Sequence, residues 1–115
     1  MGSIIFLNSE EARKHLFEKG YVYVLRMWRK IGKAKAYVGD PKNKNFLCYV
    51  YVEFIKKIKD PRELEPYVSE SGFNKIYEWI QDVKKSYRSF SANFLFKITL
   101  ISKKSWVRRI VKDTI

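Results

Sequence analysis

Apolar and polar residues along this chain follow two periods, and the switches between them mark its elements. Ile4 to Leu7 is a short apolar run, read as a first strand. Asn8 or Ser9 can then cap a helix that buries Ala12 and Leu16 and stops at Gly20. An Asn8 cap would place Glu11 at the third helical position, where its carboxylate reaches back in a capping box. From Tyr21 to Trp28 the period becomes two, with Val22, Val24, Arg26 and Trp28 on one side and Tyr21, Tyr23, Leu25 and Met27 on the other. Lys33 to Val38 predicts the next strand. Gly39-Asp40-Pro41, followed by Lys42, Asn43, Lys44 and Asn45, predicts a basic turn.

Phe46 to Ile55 predicts a long strand in which Phe46, Cys48, Val50, Val52 and Phe54 share the face expected in the core. Leu47, Tyr49, Tyr51, Glu53 and Ile55 share the other face. Packing under a helix is the favoured reading of that second set, and two tyrosines two residues apart can alternatively serve bases as a stacking platform. Asp60-Pro61-Arg62-Glu63 starts a short helical turn ending near Tyr67 or Val68, since proline suits the first helical position after an acidic cap. Ile76, Trp79, Ile80 and Val83 mark the sheet-facing stripe of a second main helix ending near Tyr87. Asn93 to Ile101 closes the sheet with Phe94, Phe96, Ile98 and Leu100 inward. The expected class is α+β, one domain over residues 1–115, with a basic tail from about residue 102 in which Lys103, Lys104, Arg108, Arg109 and Lys112 surround Trp106.

Composition narrows the function classes. At 46% hydrophobic content the 115 residues suffice for one sizeable core. No window approaches a membrane span and the start lacks a signal-peptide pattern, so a cytoplasmic location is expected, without a membrane partner. Cys48 is the single cysteine and lies in an apolar run, which predicts a buried, inert thiol. Charge changes the reading most: 24 Lys and Arg against 12 Asp and Glu leave +12, beside eight Tyr, eight Phe and three Trp. Such an excess repels itself in the compact state, and a polyanionic partner relieves it.

Arg26 shares a strand face with two valines, so burial demands either a carboxylate partner or a cleft where a ligand meets it; the cleft is the favoured reading. The densest basic run is Arg26, Arg29, Lys30, Lys33, Lys35, Lys42 and Lys44, offset only by Asp40. These cations are expected to neutralise phosphates, with Trp28 stacking on a base and Arg108 and Arg109 extending the footprint. Lys33 and Lys35 also fit an edge strand guarded against pairing.

No Ser/His/Asp grouping, metal-ligand cluster or phosphate-cradling glycine loop can be assembled, so neither cofactor nor metal is expected. His15, the only histidine, falls beside the buried stripe of its helix and reads as half-buried or solvated. Glu53 beside a lysine such as Lys35 is a weak candidate for a general base.

Several local words resemble the ASCH domain family over roughly residues 4 to 101: Glu18-Lys19-Gly20-Tyr21-Val22-Tyr23-Val24-Leu25-Arg26, then Ser71-Gly72-Phe73 with Glu78-Trp79, then Leu95-Phe96-Lys97-Ile98-Thr99-Leu100. The second group is similar to the archaeal branch. The resemblance implies a PUA-like β-barrel of five to six strands flanked by two main helices, and kinship with RNA-binding domains. Better-known members carry in the central cleft a glycine, a lysine two residues later and an arginine seven after the glycine. Here Gly20 and Arg26 stand six apart and Val22 occupies the lysine position. Amidohydrolysis of acetylated cytidine, which the resemblance ties to that lysine with a threonine and a glutamate, loses support accordingly. The expectation is a nucleic-acid-binding module, RNA preferred over DNA. A hydrolase of modified nucleosides, a metal-independent ribonuclease and a protein-interaction module are the alternatives.

Overall fold

A computed structural model of the chain describes residues 3–87 and 93–101. Five strands and three helices follow one another as β1 (Ser3–Phe6), α1 (Glu10–Lys19), β2 (Tyr21–Arg26), β3 (Gly32–Gly39), β4 (Lys44–Lys57), a 3₁₀ helix (Pro61–Glu70), α2 (Ile76–Tyr87) and β5 (Phe94–Leu100). The strands form one mixed sheet in the order β1-β3-β4-β5-β2, parallel only between β1 and β3. This is an α+β architecture. Among the described residues no ladder joins β1 to β2, so the sheet is open and not closed into a barrel.

Local chemistry sets the helix ends. Ser9, rather than Asn8, caps α1 by accepting from the Ala12 amide, and Gly20 ends it in the left-handed region at φ 90°. Asn8 instead grips the β3–β4 turn, donating to the Gly39 carbonyl at 2.9 Å and accepting from the Gly39 amide at 2.7 Å. Gly39 itself has φ 117°, and a Cβ there would strike the Asn43 carbonyl, so no other residue fits this turn. Asp60 and Glu63 form the capping box of the 3₁₀ helix. Lys56 pairs with Glu63 at 2.8 Å, tying the end of β4 to that helix.

The two faces of the sheet build two cores. Inside the curl, Ile5, Val22, Val24, Ala34, Ala36, Cys48, Val50, Val52, Phe96 and Ile98 pack with Ala12 and Leu16 of α1. Outside, Leu25 of β2 and Leu95 of β5 pack with Ile58, Leu64 and Val68 near the 3₁₀ helix and with Trp79 and Val83 of α2. The alternation read for β2 and β5 therefore holds, with a second buried set where α2 and the 3₁₀ helix lie.

Phe46 departs from its expected place in the core and is 42% exposed. The register slips between Ala36, paired with Cys48, and Tyr37, paired with Phe46, leaving Leu47 as an extra residue on β4. A bulge of this kind reverses which side the following residues face. Phe46 is thus carried outward beside Tyr37 while Leu47 packs on the inner core. Tyr49 and Tyr51, favoured as packed under a helix, are instead 43% and 45% exposed, because the helices cover only the β2–β5 half of this face. Edge protection does not explain Lys33 and Lys35 either: β3 lies inside the sheet, with β1 on one side and β4 on the other. No helix is long and apolar enough to cross a membrane among the described residues.

Candidate functional site

The open ends of the sheet face each other across a seam bridged by side chains. Arg26, the last residue of β2, donates through Nη2 to the Phe6 carbonyl of β1 at 2.9 Å and through Nη1 to the Leu25 carbonyl at 3.0 Å. Lys30 donates to the Ile4 carbonyl at 3.1 Å. Backbone carbonyls at an unpaired strand edge are unsatisfied acceptors, so these cations occupy positions that a neighbouring strand would otherwise take. Arg26 lines a cleft, and the carbonyl oxygens of Phe6 and Leu25 meet its guanidinium there.

That cleft is a cavity of about 440 Å³ whose wall includes Ile4 and Phe6 of β1, Tyr23 and Arg26 of β2, Trp28, Lys30, the Gly39–Pro41 turn, and Trp79 and Asp82 of α2. Trp28 is half-buried, packed on Phe96 with ring centroids 5.1 Å apart. The Arg26 guanidinium carbon and Lys30 Nζ sit 5.9 and 5.5 Å from its ring centroid. Two cations over one indole form favourable cation–π contacts and bring positive charge to the cavity mouth.

Asp82 supplies the opposing charge. Burial, and then the nearby carboxylate of Glu11, push its carboxyl above the usual carboxylate range, against the pull of Lys85, Ser9 and Arg26. A sequence reading passes over Asp82 because it interrupts the apolar stripe of α2 between Trp79 and Val83. The signal was its position next to Val83, which places it at the border of the buried face. Ser9 likewise reads as a cap and nothing more, yet it lines this cavity.

The expected binding residues that are described fall into four places and do not form one row. Arg26, Trp28 and Lys30 line the cavity. Arg29 turns away from them, its guanidinium carbon 4.4 Å from the Phe54 ring centroid and 6.0 Å from that of Phe94. Lys42 is exposed in the turn whose Gly39, Asp40 and Pro41 form part of the rim, and Asp40 holds that turn by accepting from the Lys42 and Asn43 amides at 2.9 and 2.8 Å. Lys33, Lys35 and Lys44 belong to the outer face of β3 and β4, with Lys44 Nζ 5.7 Å from the Tyr37 ring centroid. Arg108 and Arg109 lie outside the described residues.

Elsewhere, Tyr21 donates to Glu70 and the His15 ring stands edge-on to Tyr21 at 5.5 Å. Burial lowers the His15 pKa, and its Nε2 has no hydrogen-bond partner among the described residues, so His15 is a half-buried packing residue of α1. Cys48 is buried, and burial pushes its thiol up to about 11. No group of three or more potential metal-binding side chains gathers among the described residues. Comparison with models of protein families, with curated proteins and with solved structures finds no match to this chain.

Proposed function

We propose that this protein binds nucleic acid, RNA in preference to DNA, with the seam cavity and its rim as the centre of the interface. The observation that carries this reading is the gathering of Arg26, Trp28 and Lys30 on one cavity wall, beside the exposed Lys42 turn, in a chain of net charge +12. Long-range attraction to phosphates supplies most of the affinity, and the cavity supplies whatever selectivity the interface has. The preference for RNA rests on the resemblance to the ASCH family. Supporting that resemblance are the helix leading through Gly20 into β2 and the placing of Arg26 beside the cleft. The PUA-like barrel belongs to the same proposal, with Arg26 and Lys30 completing across the seam what backbone pairing leaves open.

Fluorescence-anisotropy titration of matched single-stranded RNA, single-stranded DNA and duplex DNA at two salt concentrations tests it. Tight binding that weakens steeply with salt is the expected result. Reversing charge at Lys30 and Lys42 lowers affinity and flattens the salt slope by about one counterion for each phosphate no longer neutralised. Binding indifferent to both changes removes the assignment.

A second reading, hydrolysis of a modified nucleoside, has one observation in its favour: a cavity lined by a carboxyl, Asp82, whose pKa burial raises, as a general acid or base requires. Against it stands Val22 in place of the family's lysine. Turnover of acetylated cytidine by the wild type and its loss in Asp82→Asn would favour this reading over simple binding.

A further inference from the structure

The outer face of β3 and β4 carries a pattern that neither the seam cavity nor the core uses. Lys33 lies opposite Tyr51 and Lys35 opposite Tyr49 in the antiparallel ladder, so each exposed ring has a lysine directly across from it. Directly opposed residues on one sheet face have Cβ atoms about 4.5–5.5 Å apart, close enough for one ligand to touch both side chains. Neither lysine has an ion-pair partner among the described residues. None of the four lines the seam cavity.

The rings continue beyond this pair. Phe6, Tyr37, Phe46 and Tyr49 run across three strands with successive centroids 6.3, 5.6 and 5.1 Å apart, a row made continuous by the bulge that carries Phe46 outward. Tyr51 extends it along β4. Tyr49 and Tyr51 are about 6.8 Å apart along the strand, as alternate residues of a β-strand are.

Three ordinary explanations do not account for this face. Core packing fails because Phe46, Tyr49 and Tyr51 are each more than two-fifths exposed. Edge protection fails because β3 is internal. A protein partner would have to bury two unpaired lysines in the middle of the interface, where lysine is depleted. A strand of unpaired nucleotides needs what is present, aromatic faces for its bases and cations beside them for its phosphates. A duplex hides its base faces and cannot use the rings.

Building on the nucleic-acid reading above, we infer that this face is a stacking platform for unpaired nucleotides, with Tyr49 and Tyr51 receiving bases and Lys33 and Lys35 their phosphates. The test titrates the full chain with a labelled oligouridylate of roughly 12 nucleotides, within the length such surfaces occupy, and with a duplex of equal length. Replacing Tyr49 and Tyr51 by Ala weakens oligouridylate binding about 5- to 150-fold per ring and leaves duplex binding unchanged. Tyr49→Phe with Tyr51→Phe retains binding, since the ring and not the hydroxyl stacks. Lys33→Glu with Lys35→Glu lowers the salt slope for the oligouridylate by about two counterions, a readout available even where the alanine pair folds poorly.

Oligouridylate binding that is salt-dependent, abolished by reversing Lys30 and Lys42 yet untouched at Tyr49, Tyr51, Lys33 and Lys35 overturns the platform and leaves the seam reading standing. Equal losses for strand and duplex in the alanine pair, with unchanged far-ultraviolet circular dichroism, overturn the assignment to unpaired nucleotides. Failure of the wild type to bind either ligand at low salt overturns both readings.

Discussion

The outer face of the sheet continues from β4 across β5 to β2, yet its two halves have opposite fates. On the β2–β5 side Leu25 and Leu95 are fully buried against the 3₁₀ helix and α2. On the β3–β4 side Tyr49 and Tyr51 point the same way into solvent, and no described helix packs on them. Alternation determines which residues share a face. What covers that face is decided by elements far away in the chain, here residues 61–87. The covered half is a second core, and the other half leaves Tyr49 and Tyr51 exposed.

Leu64 gives the sharpest way to break this contrast. It is fully buried beneath the covered half, so Leu64→Ala should cost about 2 to 5 kcal/mol in urea unfolding, through the transfer energy forgone and the cavity left behind. A cost under about 1 kcal/mol, the level of an exposed site, would mean that the helices rest on the sheet without forming a second core.

Asp82 tests the rim of the covering helix. Its folded pKa lies above the unfolded value, so the folded chain binds more protons, and this group's contribution to stability falls as pH rises through the carboxylate range. Asp82→Asn cannot ionise. Its melting temperature should therefore gain on the wild type as pH rises through the carboxylate range toward neutrality. A variant that loses ground toward neutral pH would show the carboxylate to be a favourable partner of Arg26.

The smallest effect is expected on the bare half. Tyr49→Ala and Tyr51→Ala should each change stability by no more than about 0.5 kcal/mol, since exposed positions away from buried features tolerate truncation. A loss comparable with that at Leu64 would place these rings in the core after all and remove the contrast.

Much of this architecture is readable locally. Gly20 as a helix end, the helical turn opened by Asp60 and Pro61 and the inward sets of β2 and β5 depend on residues within a few positions of one another, and the structure keeps all of them. What escapes a linear reading is set between distant segments. Phe46 looks like core because alternation within β4 contains no sign of the slip against β3. The hydrogen bonds of Arg26 to the Phe6 and Leu25 carbonyls escape as well, because a carbonyl carries no side-chain signature. Asp82 joins Arg26 and Ser9 only when α2 folds back over the sheet. The cations clustered in the sequence between Arg26 and Lys44 divide among a cavity, a turn and a sheet face for the same reason.

The bulge at Leu47 also determines how this chain tolerates insertion and deletion. β4 already contains one residue more than β3 at that point, so removing Leu47 leaves both flanks of the ladder in phase, at the cost of the packing that Leu47 makes on the inner core. Removing Val50, three residues further on, would instead shift one flank by a full position and turn one set of its side chains to the wrong side of the sheet. Length change in this strand is therefore survivable at Leu47 and at the second slip, where Ile55 is extra against β5, and disruptive at Val50 between them, so variation in strand length among descendants of this sequence should concentrate at those two places.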